Sequence, residues 1–258
     1  MKNIFMTAAV LSCLSMAATP VVASDTLRIG TEGAYPPFNF YKANGQLAGF
    51  DIDISKAICA EMKRDCEFVA QDWDGIIPAL LANKYDVVVA SMFITETRKK
   101  QVAFSQPYQA SAMTFVADKY VSLSSITPAS MKGKIIGAQG STTQAEFLLA
   151  NYPDSDVRLY PTQDAVNLDL ANGRIDAQAG DIMPMTDWLK TPEGACCERV
   201  GEMITDPVYV GEGVGMALRK EDSVLLTDIN LALTAIIANG TYQKINDAYF
   251  TLNLLTLK

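Results

Sequence analysis

The chain contains no histidine, and that gap removes a large part of enzyme chemistry. Ser-His-Asp and Cys-His nucleophile systems need an imidazole base, and His-ligated zinc and haem need an imidazole ligand, so all of these drop out. Basic charge is scarce too: 21 Lys and Arg stand against 29 Asp and Glu, a net charge of −8. Nucleic acid and anionic membrane both require a basic surface, so neither is an expected partner. Past the N-terminus no stretch approaches the roughly 20 apolar residues that cross a bilayer. No complete nucleotide loop is present either. Gly211-Glu212-Gly213-Val214-Gly215 lacks the glycine spacing of a dinucleotide turn and reads as a glycine-rich strand, and Gly133-Lys134 is followed by Ile135 where a phosphate loop needs Ser or Thr. No cofactor, metal site or catalytic group is expected.

What is there begins with an export signal. Met1-Lys2-Asn3 gives a short positive start, and Ile4 to Met16 is mostly apolar but too short to span a bilayer. Thr19-Pro20 and the small residues up to Ser24 suit signal peptidase, with cleavage expected after Ala23 or Ser24. Cys13 lies within the apolar run, too early and in too poor a box for lipidation. Removing residues 1–24 from the 258 leaves 234, with 20 basic against 29 acidic side chains. That length is large for one core and comfortable for two lobes of about 100 residues each.

Four cysteines follow the signal, as Cys59 with Cys66 and as the adjacent pair Cys196-Cys197. Seven residues along one helix would separate the first pair by roughly 10.5 Å, beyond the ~7 Å that a disulfide tolerates. The helical stretch therefore has to stop between them, and Lys63-Arg64-Asp65 before strand-like Cys66-Glu67-Phe68-Val69 provides the stop. Cys59–Cys66 reads as a staple across a helix-to-strand turn, the alternative being two free thiols. A bridge between Cys196 and Cys197 would close a small strained ring, and free thiols or pairing elsewhere are equally open.

Strand-like and helix-like segments alternate, which points to an α/β architecture. Leu27–Gly30, Glu67–Val69 and Asp86–Ala90 read as strands, with helices at Asp51–Met62 and Gly75–Leu81. The rhythm restarts with strands at Ile135–Ala138, Val157–Tyr160 and Ile175–Gln178, and helices at Thr142–Ala150 and Gln163–Asn172. Phe104–Ala117 and Thr205–Leu218 are extended in character, as two crossings between two lobes would be, and a helical tail runs from Asp222 to Tyr249.

From Arg28-Ile29-Gly30-Thr31-Glu32 and Tyr35-Pro36-Pro37-Phe38, through Gly49-Phe50-Asp51-Ile52-Asp53-Ile54 and Trp73-Asp74-Gly75-Ile76, the chain resembles the bacterial solute-binding family that serves polar amino acid transporters. The match continues through Ile94-Thr95 with Arg98, Gln139-Gly140-Ser141-Thr142, Gly173-Arg174-Ile175-Asp176-Ala177 and Gly240-Thr241-Tyr242, in the family's order. It looks closest to the lysine/arginine/ornithine-, histidine- and opine-binding proteins, and the spacing of Cys59 and Cys66 also looks like that branch. The resemblance implies a two-lobe periplasmic binding protein of type II, with two hinge-crossing strands. It places residues 25–110 and 208–258 in the first lobe and 111–207 in the second. It implies a monomer in the periplasm that delivers a free amino acid to the membrane permease of an ABC transporter. Asp51 and Asp53 are structural in such proteins.

Carried over residue by residue, the resemblance makes Arg98 the clamp for the ligand carboxylate, its planar fork suiting that group. Backbone N–H groups near Phe93 and at the helix start around Ser141 and Thr142 would assist. Asp181, whose other reading is a helix cap, becomes the acceptor for the ammonium, with Ser91 as a second acceptor. Glu32, Tyr35, Trp73, Ala90, Met92 and Thr143 would line the side-chain subsite. A carboxylate beside aromatic faces suits a cation, so arginine is the leading ligand, then lysine, ornithine and histidine. Where the lysine/arginine/ornithine binders carry a serine, this chain has Phe93, whose ring would reshape the cleft. Opines, neutral polar amino acids, and a cyclohexadienyl dehydratase-like lyase on the same fold are the alternatives.

Overall fold

The structure, a computed structural model, describes residues 26–256 apart from Ser122 and Ser124; the expected signal peptide and its cleavage site lie outside the described residues. Two five-stranded sheets organise the chain. The first has the strand order Cys66–Ala70, Leu27–Thr31, Val87–Val88, Ala217–Leu218, Ala103–Phe104. Its first three strands run parallel, and Ala217–Leu218 runs antiparallel to both neighbours. The second has the order Asp156–Tyr160, Ile135–Gln139, Ala177–Asp181, Met113–Asp118, Cys197–Ile204, again with three parallel strands and antiparallel pairing beyond them. The chain thus leaves the first sheet after Phe104, builds the whole second sheet, and returns to close the first.

Each sheet has its own core, and its inner strands are buried almost throughout, as strands covered on both faces are. The helix Phe50–Glu61 turns Phe50, Ile54 and Ile58 inward at four-residue spacing. Against that stripe pack the helices Ser223–Ala238 and Thr241–Tyr249, with Leu233, Ile236 and Tyr242 buried. The tail from Asp222 breaks where Gly240 takes φ 79°, and the two helices meet at 76°. Among the described residues no single helix is long and apolar enough to cross a membrane.

Asp51, fully buried at the start of the first helix, accepts from Asn39 at 2.9 Å, Ser91 at 3.0 Å and Tyr108 at 2.7 Å. Burial pushes its carboxyl above the usual range, and those three donors oppose the shift. The residue ties a hairpin, the turn after Val88 and the outgoing crossing to one point. Asp53 accepts from Tyr249 at 2.7 Å. Both aspartates serve the scaffold.

Two sequence expectations need correction. Gly211–Gly215 is not a strand: Gly211 has φ 58° and Gly213 φ 107°, and only Val214 bridges, to Phe93 and Gln109. A Cβ on Gly211 would lie 1.8 Å from the Ile94 carbonyl oxygen, so close backbone approach explains the glycine. The return crossing is also not extended throughout, since Pro207–Val210 forms a helical turn with Pro207 near its start and Asp206 accepting from the Val208 N–H at 2.9 Å.

The first helix ends at Glu61, and Cys59 and Cys66 are bridged with Cα atoms 5.9 Å apart. Removing this staple, as in Cys59→Ser with Cys66→Ser, is expected to cost roughly 2–3 kcal/mol from loop-closure entropy; denaturant unfolding checks it, and an unchanged midpoint would contradict it. Cys196 and Cys197 are bridged to each other where the turn Glu193–Cys196 enters the strand Cys197–Ile204.

Candidate ligand-binding cleft

Local structure first places the cation. Thr95 caps the short helix Glu96–Lys99, its Oγ1 accepting from the Arg98 N–H at 3.3 Å. This turns the Arg98 side chain inward, leaving the residue 9% exposed. Its Nη1 donates to the Phe93 carbonyl at 3.1 Å, and its Cζ lies 5.4 Å from the Trp73 ring centroid. No ion pair holds Arg98 among the described residues. Burial lowers its pKa to about 10, against the fields of Glu146 and Asp181, so it stays charged at neutral pH.

Opposite it stands Asp181, the last residue of the strand Ala177–Asp181. It occupies the cap position of the helix Ile182–Trp188, yet its side chain makes no cap bond there. The carboxylate instead accepts from Tyr35 Oη at 2.6 Å and from the Gln144 amide. Burial raises its pKa to about 7, while Tyr35, Arg98 and Gln144 pull it back. Glu32, just after the strand Leu27–Thr31, accepts from Gln139 Nε2 at 2.6 Å. Burial lifts its pKa to about 7 as well, opposed by the Gln139 bond and reinforced by Asp164, Asp72 and Asp74.

The helix Thr143–Asn151 points its N-terminus at the same space, capped by Thr142, whose Oγ1 accepts from the Ala145 N–H at 3.1 Å and donates to the Gln139 carbonyl at 2.6 Å. Such a terminus favours a carboxylate. One cavity gathers these groups: Glu32, Tyr35, Trp73, Phe93 and Arg98 from the first lobe, and Gln139, Thr142, Thr143, Gln144 and Asp181 from the second. The lobes are closed on it. Three bonds cross the cleft, Tyr35 to Asp181, Gln139 to Glu32, and Trp73 Nε1 to the Ser141 carbonyl at 3.0 Å, and about 20 Å³ remains between the walls.

The other expected positions sit around this centre. Met92 and Ser141 line an adjoining cavity of about 170 Å³ that shares Trp73 and Arg98 with the first. Ala90 packs in the core beside Trp73. Ser91 directs its hydroxyl to Asp51 and stays off the cavity wall. Gln139 and Gln144 line the cavity but were absent from the expected set; their places on either side of the strand-to-helix turn around Gly140-Ser141 were the available signal. Among the described residues no group of three or more Cys, Asp or Glu side chains is placed to hold a metal ion.

Two α/β lobes joined by two crossings, with a buried guanidinium and two buried carboxylates facing one cleft, define a solute-binding protein of the hinged type. The chain belongs to the bacterial extracellular solute-binding proteins, family 3, whose sequence profile matches residues 27–252. It is 42% identical to the L-arginine-binding protein of Pseudomonas aeruginosa over 245 residues, 93% of this chain and 94% of that one. A Salmonella typhimurium periplasmic binding protein of high arginine specificity superposes with TM-score 0.81 at 35% identity, covering 88% of this chain and 99% of that chain. An ancestral amino acid-binding protein, a precursor of cyclohexadienyl dehydratase, superposes with TM-score 0.79 at 32% identity, covering 88% of this chain and 96% of that chain.

The carboxylate pKa values set a pH dependence. In the closed cleft, burial raises Asp181 and Glu32 both to about 7. A cation seated against them would stabilise the ionised forms and lower both values, so its binding is expected to release protons, with affinity full above about pH 7 and falling as pH drops below it. The stability of the fold is expected to have the opposite slope. A carboxyl raised above its unfolded value contributes stability at low pH that is lost as pH rises through about 7. The thermal shift given by a cationic ligand is therefore expected to grow from pH 5.5 to pH 8. A shift that shrinks over that range would contradict the assignment.

Proposed function

We propose that this protein is the periplasmic substrate-binding component of an ABC importer and captures a free cationic amino acid, with arginine first among lysine, ornithine and histidine. One observation carries the reading: a buried guanidinium, Arg98, faces two buried carboxylates, Asp181 and Glu32, across a cavity closed by both lobes. That spacing of charges complements the α-carboxylate, the α-ammonium and a cationic side chain of one ligand. Relatives named for arginine binding support it. Residues 25–110 and 208–258 form the lobe that carries Arg98, and 111–207 the lobe that carries Asp181. The stretches Phe104–Ala117 and Thr205–Leu218 are the hinge. Export cleaves the chain after Ala23 or Ser24, and the monomer hands its ligand to a membrane permease.

Calorimetry with arginine, lysine, ornithine, histidine, citrulline and glutamine tests the class. Binding of a neutral amino acid with no response to arginine, lysine or ornithine would refute the cation. No reaction at the ligand is needed for this role. Turnover of prephenate or arogenate would instead favour a lyase on the same fold. The Glu32 assignment has its own test: Glu32→Gln is expected to weaken arginine by about 10- to 150-fold, the loss of a charged hydrogen-bond partner. Citrulline, the neutral isostere, should be nearly unaffected, and an unchanged arginine-to-citrulline ratio would place Glu32 outside the subsite.

A further inference from the structure

A second cavity, of about 360 Å³, lies between the lobes and shares no wall residue with the amino acid cleft. One wall is the helix Ile182–Trp188 and its continuation to Lys190, and another is the strand Cys197–Ile204, both from the second lobe. The segment Tyr249–Leu252, at the end of a first-lobe helix, closes the third side.

The lining is mixed, with apolar side chains beside Thr186, Asp187, Lys190 and Thr251 and the exposed Arg199. Ile182, Met183, Met203, Phe250 and Leu252 supply carbon surface, and the two methionines can repack around different shapes. Lys190 is paired with Asp187 at 3.8 Å. Arg199 donates Nε–H to Thr114 Oγ1 at 3.4 Å and is in no ion pair among the described residues. A guanidinium at the edge of an apolar hollow complements a carboxylate with an aliphatic or aromatic body. Asp187 faces the same space in an exposed 3.8 Å pair with Lys190, so titrating phenylalanine beside 3-phenylpropionate shows whether an added ammonium is tolerated.

The place of the cavity gives its occupant leverage. Ile182 directly follows Asp181, and its N–H donates to the Ala112 carbonyl of the outgoing crossing at 2.9 Å. On the other side, Tyr249 is anchored to Asp53 at 2.7 Å. A molecule seated here touches the helix behind the ammonium-binding carboxylate and the frame of the first lobe together.

We propose that this inter-lobe cavity binds an amphipathic monocarboxylate, with Arg199 holding the carboxylate, and that its occupancy favours the closed arrangement of the lobes. The coupling rests on the hinge closure described above; the site itself does not. The test is calorimetric titration of the mature chain with octanoate and 3-phenylpropionate, with and without saturating arginine. Expected are a single site, at least tenfold weaker octanoate binding in Arg199→Ala, and blocked binding in Met203→Trp, with arginine affinity retained in both. Arginine and octanoate should tighten each other by one common factor, about fivefold or more. Undiminished octanoate binding in both variants, phenylalanine binding more tightly than 3-phenylpropionate, or absence of mutual tightening would overturn the proposal. If arginine itself fails to bind, the cleft reading falls, and the octanoate titration of the ligand-free chain in the two variants decides the second site alone.

Discussion

Arg98→Ala is expected to weaken binding of a free amino acid by about 2–5 kcal/mol, or roughly 30-fold to several-thousand-fold. The size follows from burial. Arg98 is 9% exposed, is in no ion pair among the described residues, and is held in place by the Phe93 carbonyl and the Trp73 ring. With Arg98 as the proposed clamp, an incoming carboxylate would meet a desolvated, pre-positioned fork, and removing it would strand that carboxylate in a low-dielectric cleft. Arg98→Lys is expected to recover only part of the loss, because a point charge cannot reproduce a two-pronged contact. Calorimetry measures both variants, and wild-type affinity in the alanine variant would take Arg98 out of the site.

Asp181→Asn is expected to cost a comparable amount, about 2–5 kcal/mol, for any ligand with a free ammonium. The substitution keeps shape and removes charge. Asparagine can still accept from Tyr35, so loss of affinity without loss of fold is the signature sought. A second readout separates this role from a structural one. With Asp181 and Glu32, both raised to about 7, as the proposed ligand carboxylates, the variant is expected to lose affinity less steeply below neutrality than the wild type does. An Asp181→Asn protein with wild-type affinity and the same pH profile would reassign the ammonium site.

Much of this was legible in the sequence, and the parts that were not share a cause. The restart of the strand–helix rhythm at Ile135 marked the second sheet, and the stop between Met62 and Cys66 marked the staple, because local periodicity and spacing carry both. The order of motifs singled out Arg98 and Asp181, and the structure brings both to one cavity. What escaped depends on contacts far apart along the chain. Tyr108 donates to Asp51 across 57 positions, and Gln139 to Glu32 across 107, so no local pattern could pair them. Ser91 was expected to face the ligand, but its hydroxyl donates to Asp51 from a residue with φ 50°. Gly211–Gly215 looked like a strand because glycine carries no side-chain signal, and only the approach of the Ile94 carbonyl shows what the glycines are for.

The strand order has a consequence for the life of the chain before it binds anything. The second sheet is built from one continuous run, 113–204, whereas the first needs Ala217–Leu218 to sit between Val87–Val88 and Ala103–Phe104. A chain emerging N-terminus first can complete the second lobe while the first still lacks an interior strand. The half that carries Arg98 and Glu32 is thus the last to mature. Truncation between residues 205 and 216 should leave a folded Asp181 lobe tethered to an unfinished partner, a product for proteases and chaperones rather than a weak binder.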